Sequence, residues 1–388
     1  MTQDITESIE ACAAHYGAEA DDVREYLTEG QNRALALDNR GPVKFGADGR
    51  LDPAIRETYS NYGFYIFQGV ISDEELADLE AGIADLRQRF PVEPFGPVDA
   101  AGNPALGSQC TAPTLQWVKP LSDPLGGTDL LNGRHQVKLF EPEAASDAPE
   151  YAPYVLMGHV QFSEATLRTY AHPDLLRIAA SINGDDFTPF HDVIFFKDPG
   201  LGAAVSWHQD GDTHWENPAF DEDIHGFNLM VQIYGSTAVN GVWVVPGTHR
   251  LGRMNVKAMV EEAGSERLPE AVPMICEPGD VVICNRQIVH GSFANTGFEP
   301  RLTVNYGFHR RSSVLGVKGA GMHSEAVVYD ETHIAERARA IGIAVAARKE
   351  RFPEEAAYDY QPLNGEAFVY DAAAMASLID YNLKDLSI

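Results

Sequence analysis

Between residues 187 and 311 the chain repeats one pattern: a short apolar run, a turn, then another apolar run, with almost no helix-forming stretch between them. The runs are "DVIFFK", "AVSWHQD", "GFNLMVQIYGS", "GVWVVPG", "GDVVICN", "VHGSFAN" and "RLTVNYGFHR". The turns between them, "DPGLG", "VNG", "PGTH", "EPGD" and "NTGFEP", use Gly, Pro, Asn and Asp, residues that supply the backbone angles a reversal needs. Strands this short, with no crossover helices, do not build a parallel βαβ sheet. They predict a mainly β domain, an antiparallel jelly roll or barrel.

The flanks read differently. Residues 1–54 form an acidic, helical extension that ends at the turn-rich "NRGPVKFGADGRLDP". A strand, "FYIFQGVI", then precedes a helix whose apolar positions Leu76, Leu79, Ile83, Leu86 and Phe90 step by three and four, opened by a capping box of Ser72 and Glu75. Residues 91–153 are rich in Pro, Gly, Asp and Ala and read as a loop-rich insert in a main domain spanning 55–311. Beyond it, 312–388 hold the helix "DETHIAERARAIGIAVAARKERF" and an acidic aromatic tail.

Charge narrows the partners. With 57 acidic against 29 basic residues in 388, a formal charge of −28, the surface repels phosphate backbones and anionic lipid headgroups, so neither nucleic acid nor a membrane is expected. The N-terminus lacks the basic and apolar regions of a leader, and no apolar run reaches the ~18 residues a bilayer span needs. The expected location is cytoplasmic. Cys12, Cys110, Cys276 and Cys284 have no C-x-x-C spacing and are expected to be reduced.

The chemistry concentrates in "VSWHQDGDTHW", residues 205–215. His208 and Asp210 are two apart, hence on one face of a strand. The bare pattern is weak: 13 histidines and 57 acidic residues predict about two such spacings by chance, and the chain has four. His172 and Asp174 in "AHPDLL" have a bland explanation at a helix start, and His323 with Glu325 has no neighbouring constellation. His214 with Glu216 is the fourth such pair. Only 208 and 210 end a strand inside the β region. A third ligand is offered by His290, directly after an apolar strand, with Arg301 opening the next strand. Two imidazoles and one carboxylate leave half an octahedron open, which suits non-haem Fe(II); zinc more often takes a closed set or uses Cys.

Residues from about 56 to 311 resemble the phytanoyl-CoA dioxygenase family of Fe(II)/2-oxoglutarate oxygenases. The matching stretches are "YGFYIFQGVISDEEL", "HPDLLRIAASINGDDF", "KDPG" before "WHQDG", "NGVWVVPGTHR", "PGDVVICNRQIVHGS" and the Arg301 that follows. The resemblance implies a double-stranded β-helix (jelly-roll, cupin-like) core. It implies that His208, Asp210 and His290 bind iron, that Arg301 pairs with the distal carboxylate of 2-oxoglutarate, and that Ser292 bonds the same cosubstrate. It further implies that 2-oxoglutarate and O2 become succinate and CO2 as an unactivated C–H bond of a small-molecule substrate is oxidised, most simply to an alcohol. Halogenating relatives carry a small residue where this chain has Asp210, so hydroxylation is favoured.

Other residues carry less. His214 and Trp215 are candidates to line a substrate pocket, with packing on the barrel rim as the alternative. Lys197 in "FFKDPG" reads as a solvated lysine outside the site. Trp243 reads as wall packing and "PGTH" as a structural turn, while Arg310 and Arg311 read as charged strand ends. The insert 91–153 and the segment past 311 are expected to form a lid or a homodimer contact that defines the substrate. Two other classes fit the same ligand pattern: a cupin-like metal isomerase or hydrolase that makes no succinate, and a catalytically silent metal-binding protein.

Overall fold

A strand covered on both faces hides the polar–apolar alternation that betrays a half-exposed one, and the long strands here are of that kind. The computed structural model describes residues 5–210, 226–319 and 327–384. Besides a small hairpin of Lys318–Gly319 with Val327–Val328, its strands in chain order are β1 (Arg40–Gly41), β2 (Phe64–Phe67), β3 (Leu115–Val118), β4 (Ala152–Met157), β5 (Thr188–Lys197), β6 (Val205–His208), β7 (Gly226–Gln232), β8 (Trp243–Val245), β9 (Val272–Pro273), β10 (Val281–Asn285), β11 (Val289–Ser292) and β12 (Arg301–His309). They form an eight-stranded sheet in the order β1-β2-β10-β7-β12-β5-β4-β3 and a four-stranded sheet in the order β6-β11-β8-β9. Every pairing between these strands is antiparallel except β1 with β2. Consecutive strands alternate between the two sheets through much of the core, which makes this a double-stranded β-helix.

The helices, also in chain order, are α1 (Ile5–Ala14), α2 (Ala20–Ala36), α3 (Pro53–Tyr62), α4 (Asp73–Gln88), α5 (Glu164–Tyr170), α6 (Pro173–Asn183), α7 (Val256–Ala263), α8 (Arg311–Val314), α9 (Glu331–Arg351) and α10 (Ala372–Ser377). They explain why the strands are apolar on both sides. In the large sheet Phe67, Leu229, Val231, Val281, Ile283, Leu302 and Val304 face a helical layer that includes Leu79, Ile83 and Leu86 of α4 and Ile341 of α9. The alternate residues Phe64, Ile66, Met230 and Val282 pack against Val244, Val272 and Ile288 of the small-sheet side. Each such side chain contributes about 1.5–3 kcal/mol by leaving water. The outer face of the small sheet is sealed by α1 and α2, through Cys12, Val23 and Leu27 against Trp207 and Trp243.

Local signals hold in part. Ser72 caps α4, its Oγ accepting from Glu75 N at 3.2 Å. The Glu75 side chain does not reach back to complete a box. It is buried, and Arg348 of α9 donates to it at 2.6 Å. His172 caps α6, its Nδ1 accepting from Asp174 N at 3.2 Å. The Pro- and Gly-rich stretch 91–153 contains β3 and the start of β4, which extend the large sheet beyond β5. Neither strand was visible in the sequence, because four residues of "LQWV" between turn formers carry too little pattern.

Candidate metal centre

On the interior face of this sandwich the strands change character. His191, Val193 and Phe195 of β5, Asn228 and Met230 of β7, and Arg301, Thr303 and Asn305 of β12 line one cavity. His208, Asp210, His290 and Ser292 open onto the same cavity from the small-sheet side.

His208 is the last residue of β6 and pairs across the ladder with His290 of β11. Their rings lie 4.1 Å apart, and Asp210 N is held by the Arg286 carbonyl at 2.8 Å. One ligand atom from each of His208, Asp210 and His290 lies within 4.8 Å of the others. The His208 Nε2–Asp210 Oδ1 distance is 3.4 Å, and the His290 Nε2–Asp210 Oδ2 distance is 3.8 Å. Three N/O donors around one ion at right angles sit about 3 Å apart, so small side-chain movements close the set.

The tautomers suit that purpose. His208 Nδ1 donates to the Ser206 carbonyl at 2.8 Å and His290 Nδ1 to the Ile288 carbonyl at 2.9 Å. A carbonyl can only accept, so both Nε2 atoms present lone pairs to the cavity. Burial, then the neighbouring His208, push the His290 imidazole down to about 4, which keeps it neutral at pH 7. Burial alone would raise Asp210, but the Arg134 guanidinium beside it holds its carboxyl well below the usual range. Asn228 Nδ2 donates to Asp210 Oδ2 at 3.1 Å. This donor set fits a divalent cation with open positions, and no Cys joins it among the described residues.

Arg301 opens β12 and is buried. Its Nε and Nη1 are also buried, with no hydrogen-bond partner among the described residues, and burial lowers it to about 10. A guanidinium in that state needs an anion.

Besides Asn228, three residues were missed in the sequence. Arg134, from the insert, forms an ion pair with Asp210 at 3.0 Å. Its neighbour His135 lies against His208 with ring centroids 4.2 Å apart. No signal in "LNGRHQ" marks either, since their position depends on the path of a long loop. Lys197, read as solvated, is 1% exposed, and its Nζ donates to Ser292 Oγ at 2.9 Å. Its interior placement follows from strand parity, because it shares a face with His191, Val193 and Phe195.

Trp243 is fully buried and stacks on Tyr26 at 4.6 Å, away from the cavity. Arg311 is ion-paired with Glu331. His214, Trp215 and Glu216, like His323 and Glu325, lie outside the described residues.

A double-stranded β-helix that gathers two imidazoles and a carboxylate inside, beyond which waits a buried arginine, defines the non-haem Fe(II)/2-oxoglutarate oxygenases as a class. The family follows from comparison: residues 59–303 match the model for phytanoyl-CoA dioxygenase (PhyH), and the chain belongs to that family. The family is one of Fe(II)/2-oxoglutarate dioxygenases, and the His208, Asp210 and His290 donor set is of the kind that holds such an iron.

Among individual proteins, the dioxygenase lolE1 of Epichloe uncinata is 30% identical over 144 residues, 36% of this chain and 49% of that protein. Phytanoyl-CoA dioxygenase 1 of Oryza sativa subsp. japonica is 29% identical over 108 residues, 26% of this chain and 37% of that protein. The chain thus spans half or less of these relatives' length. The crystal structure of EctD from S. alaskensis with 2-oxoglutarate and 5-hydroxyectoine superposes with a TM-score of 0.50 at 18% identity, covering 76% of this chain and 86% of that one. That likeness speaks for the fold alone. Among the described residues no helix is long and apolar enough to cross a membrane.

Proposed function

We propose that the protein hydroxylates an unactivated C–H bond of a small-molecule metabolite, with iron held by His208, Asp210 and His290 and with 2-oxoglutarate converted to succinate and CO2. The observation that carries this reading is the pairing, in one cavity, of a three-donor facial set with a buried guanidinium that has two donors unused among the described residues. Bound iron supplies the open positions where 2-oxoglutarate and O2 meet and the oxidising power released by decarboxylation.

The chain's own residues do the rest. His208 and His290 offer their Nε2 atoms, the rings fixed in direction by the Ser206 and Ile288 carbonyls. Asn228 and Arg134 hold the Asp210 carboxylate from two sides. Arg301 takes the distal carboxylate of 2-oxoglutarate through its planar fork, with Ser292 beside it. Leu125, Val193, Phe195 and Met230 line the remaining wall and keep water from the reacting carbon. Retention of Asp210 leaves no vacated position for a halide, which favours hydroxylation. The reading is completed by a cytoplasmic enzyme whose acidic surface turns away nucleic acid.

The test is anaerobic titration of the metal-free protein with Fe(II) and 2-oxoglutarate, followed by the visible metal-to-ligand charge-transfer band. The wild type should develop the band. Asp210→Ala should lose it through poor iron binding, and Arg301→Ala should need far more 2-oxoglutarate to reach it. Iron uptake with no band at saturating 2-oxoglutarate would reject the reading in favour of a metal isomerase or hydrolase on the same fold. With the band established, succinate release identifies the substrate in a screen.

A further inference from the structure

Lys197 is a cation in a place that disfavours cations. It ends β5, directly across the ladder from Arg301, and is buried on the interior face. Its Nζ donates to Ser292 Oγ at 2.9 Å and to the Phe293 carbonyl. Burial, then the Arg301 charge, push the ammonium well below its ordinary value, with Asp123 pulling the other way. Asp123 is already engaged, its carboxylate accepting from Gly126 N at 3.1 Å and Leu139 N at 2.8 Å. Two positive groups therefore stand side by side in the interior, and Arg301 Nε and Nη1 have no partner among the described residues.

Hydrogen-bond direction gives this pairing a consequence. An ammonium has three donors and no acceptor. Ser292 Oγ must accept from Lys197 and must send its own hydrogen elsewhere. The Phe293 carbonyl accepts from the same ammonium. Ser292 opens onto the cavity with Arg301, whereas Lys197 sits behind it and does not line the cavity.

We infer that Lys197 is a positioning residue for the cosubstrate: it fixes Ser292 as an obligate donor beside Arg301, so that the pair recognises a distal carboxylate. This rests on the proposal above that 2-oxoglutarate lies with that carboxylate at Arg301. The incoming anion in turn keeps the ammonium protonated. Without Lys197, Ser292 Oγ loses the donor that fixes its direction, and its hydrogen is no longer committed to the cosubstrate.

The experiment is anaerobic calorimetric titration of the Fe(II)-loaded protein with 2-oxoglutarate and with 2-oxobutyrate, a 2-oxo acid that lacks the distal carboxylate. Four forms are compared: wild type, Lys197→Met, Ser292→Ala and the double variant. Lys197→Met should weaken 2-oxoglutarate binding by at least about tenfold, the scale of one charge-assisted hydrogen bond. Binding of 2-oxobutyrate should hold, and the double variant should bind no worse than Ser292→Ala. Equal loss for both acids, additive losses, or unchanged 2-oxoglutarate affinity in Lys197→Met overturns the inference. Should Lys197→Met not fold, Ser292→Ala decides: its loss must be selective for 2-oxoglutarate, and an unselective loss or none rejects the inference. A wild type that takes up iron but no 2-oxoglutarate sinks the oxygenase reading itself, a result distinct from wild-type binding that Lys197→Met leaves untouched.

Discussion

Glu266 shows what burial does to a carboxyl group that no cation fully answers. Its Oε2 accepts from Phe140 N at 2.7 Å, while its Oε1 is buried without a hydrogen-bond partner among the described residues. Burial raises it to about 7, against the pull of the Phe140 N–H and Arg267. A carboxyl whose folded value lies above its unfolded value of about 4.5 binds its proton more tightly in the native state, so stability falls as pH rises from about 4.5 to about 7 and is flat above. Glu266→Gln, which stays neutral, should be more stable than the wild type at pH 8, and the gap should close as pH falls toward 4.5. Urea unfolding of both proteins at pH 5, 6, 7 and 8 reads this, and a gap that does not change with pH would refute it. The same contrast between charge and burial explains which site residues could be read from the chain. His208, Asp210 and His290 were legible as candidates from their places at strand ends together with the family resemblance, and the structure brings them together. Lys197 and Arg134 did not, because a lysine's burial is a tertiary property and Arg134 reaches Asp210 only along the course of a long loop.

Among the elements, α2 is placed by a single close approach. A Cβ on Gly30 would stand 2.2 Å from the Trp243 ring, and that indole is fixed by its bond to the Ala238 carbonyl at 2.9 Å and by its stack on Tyr26. Gly30→Ala should therefore destabilise by about 1–3 kcal/mol through overpacking, even though Ala favours an isolated helix over Gly by about 1 kcal/mol. Chemical denaturation checks the sign: a stabilised variant would mean that α2 moves freely on the small sheet. Period and turn chemistry made seven of the eight strands from β5 to β12 legible, all but the two-residue β9, along with α4 and α9. They could not show the strands β3 and β4, nor that Glu75 leaves its cap for Arg348 273 residues away. Such a buried pair is strongly destabilising to break from one side, which ties α4 to α9 across the helical layer.

At the scale of the whole molecule, the centre is divided between two sheets. His208 and His290 stand on the small sheet, while Asn228, Arg301 and Lys197 stand on the large one. On the proposed function, iron bound on one side and a cosubstrate carboxylate held on the other would join the sheets through ligands absent from the unfolded chain. Mass action then stabilises the native state by about 2.7 kcal/mol for each ligand at a hundredfold excess over its dissociation constant. Anaerobic scanning fluorimetry should show one rise in Tm with Fe(II), and a second with 2-oxoglutarate only after iron is present, since the cosubstrate needs both the metal and Arg301. In Arg301→Ala the first rise should persist and the second should shrink to near zero. A full 2-oxoglutarate rise in that variant, or in metal-free wild type, would place the cosubstrate somewhere other than between the sheets and would break the link between this fold and its site.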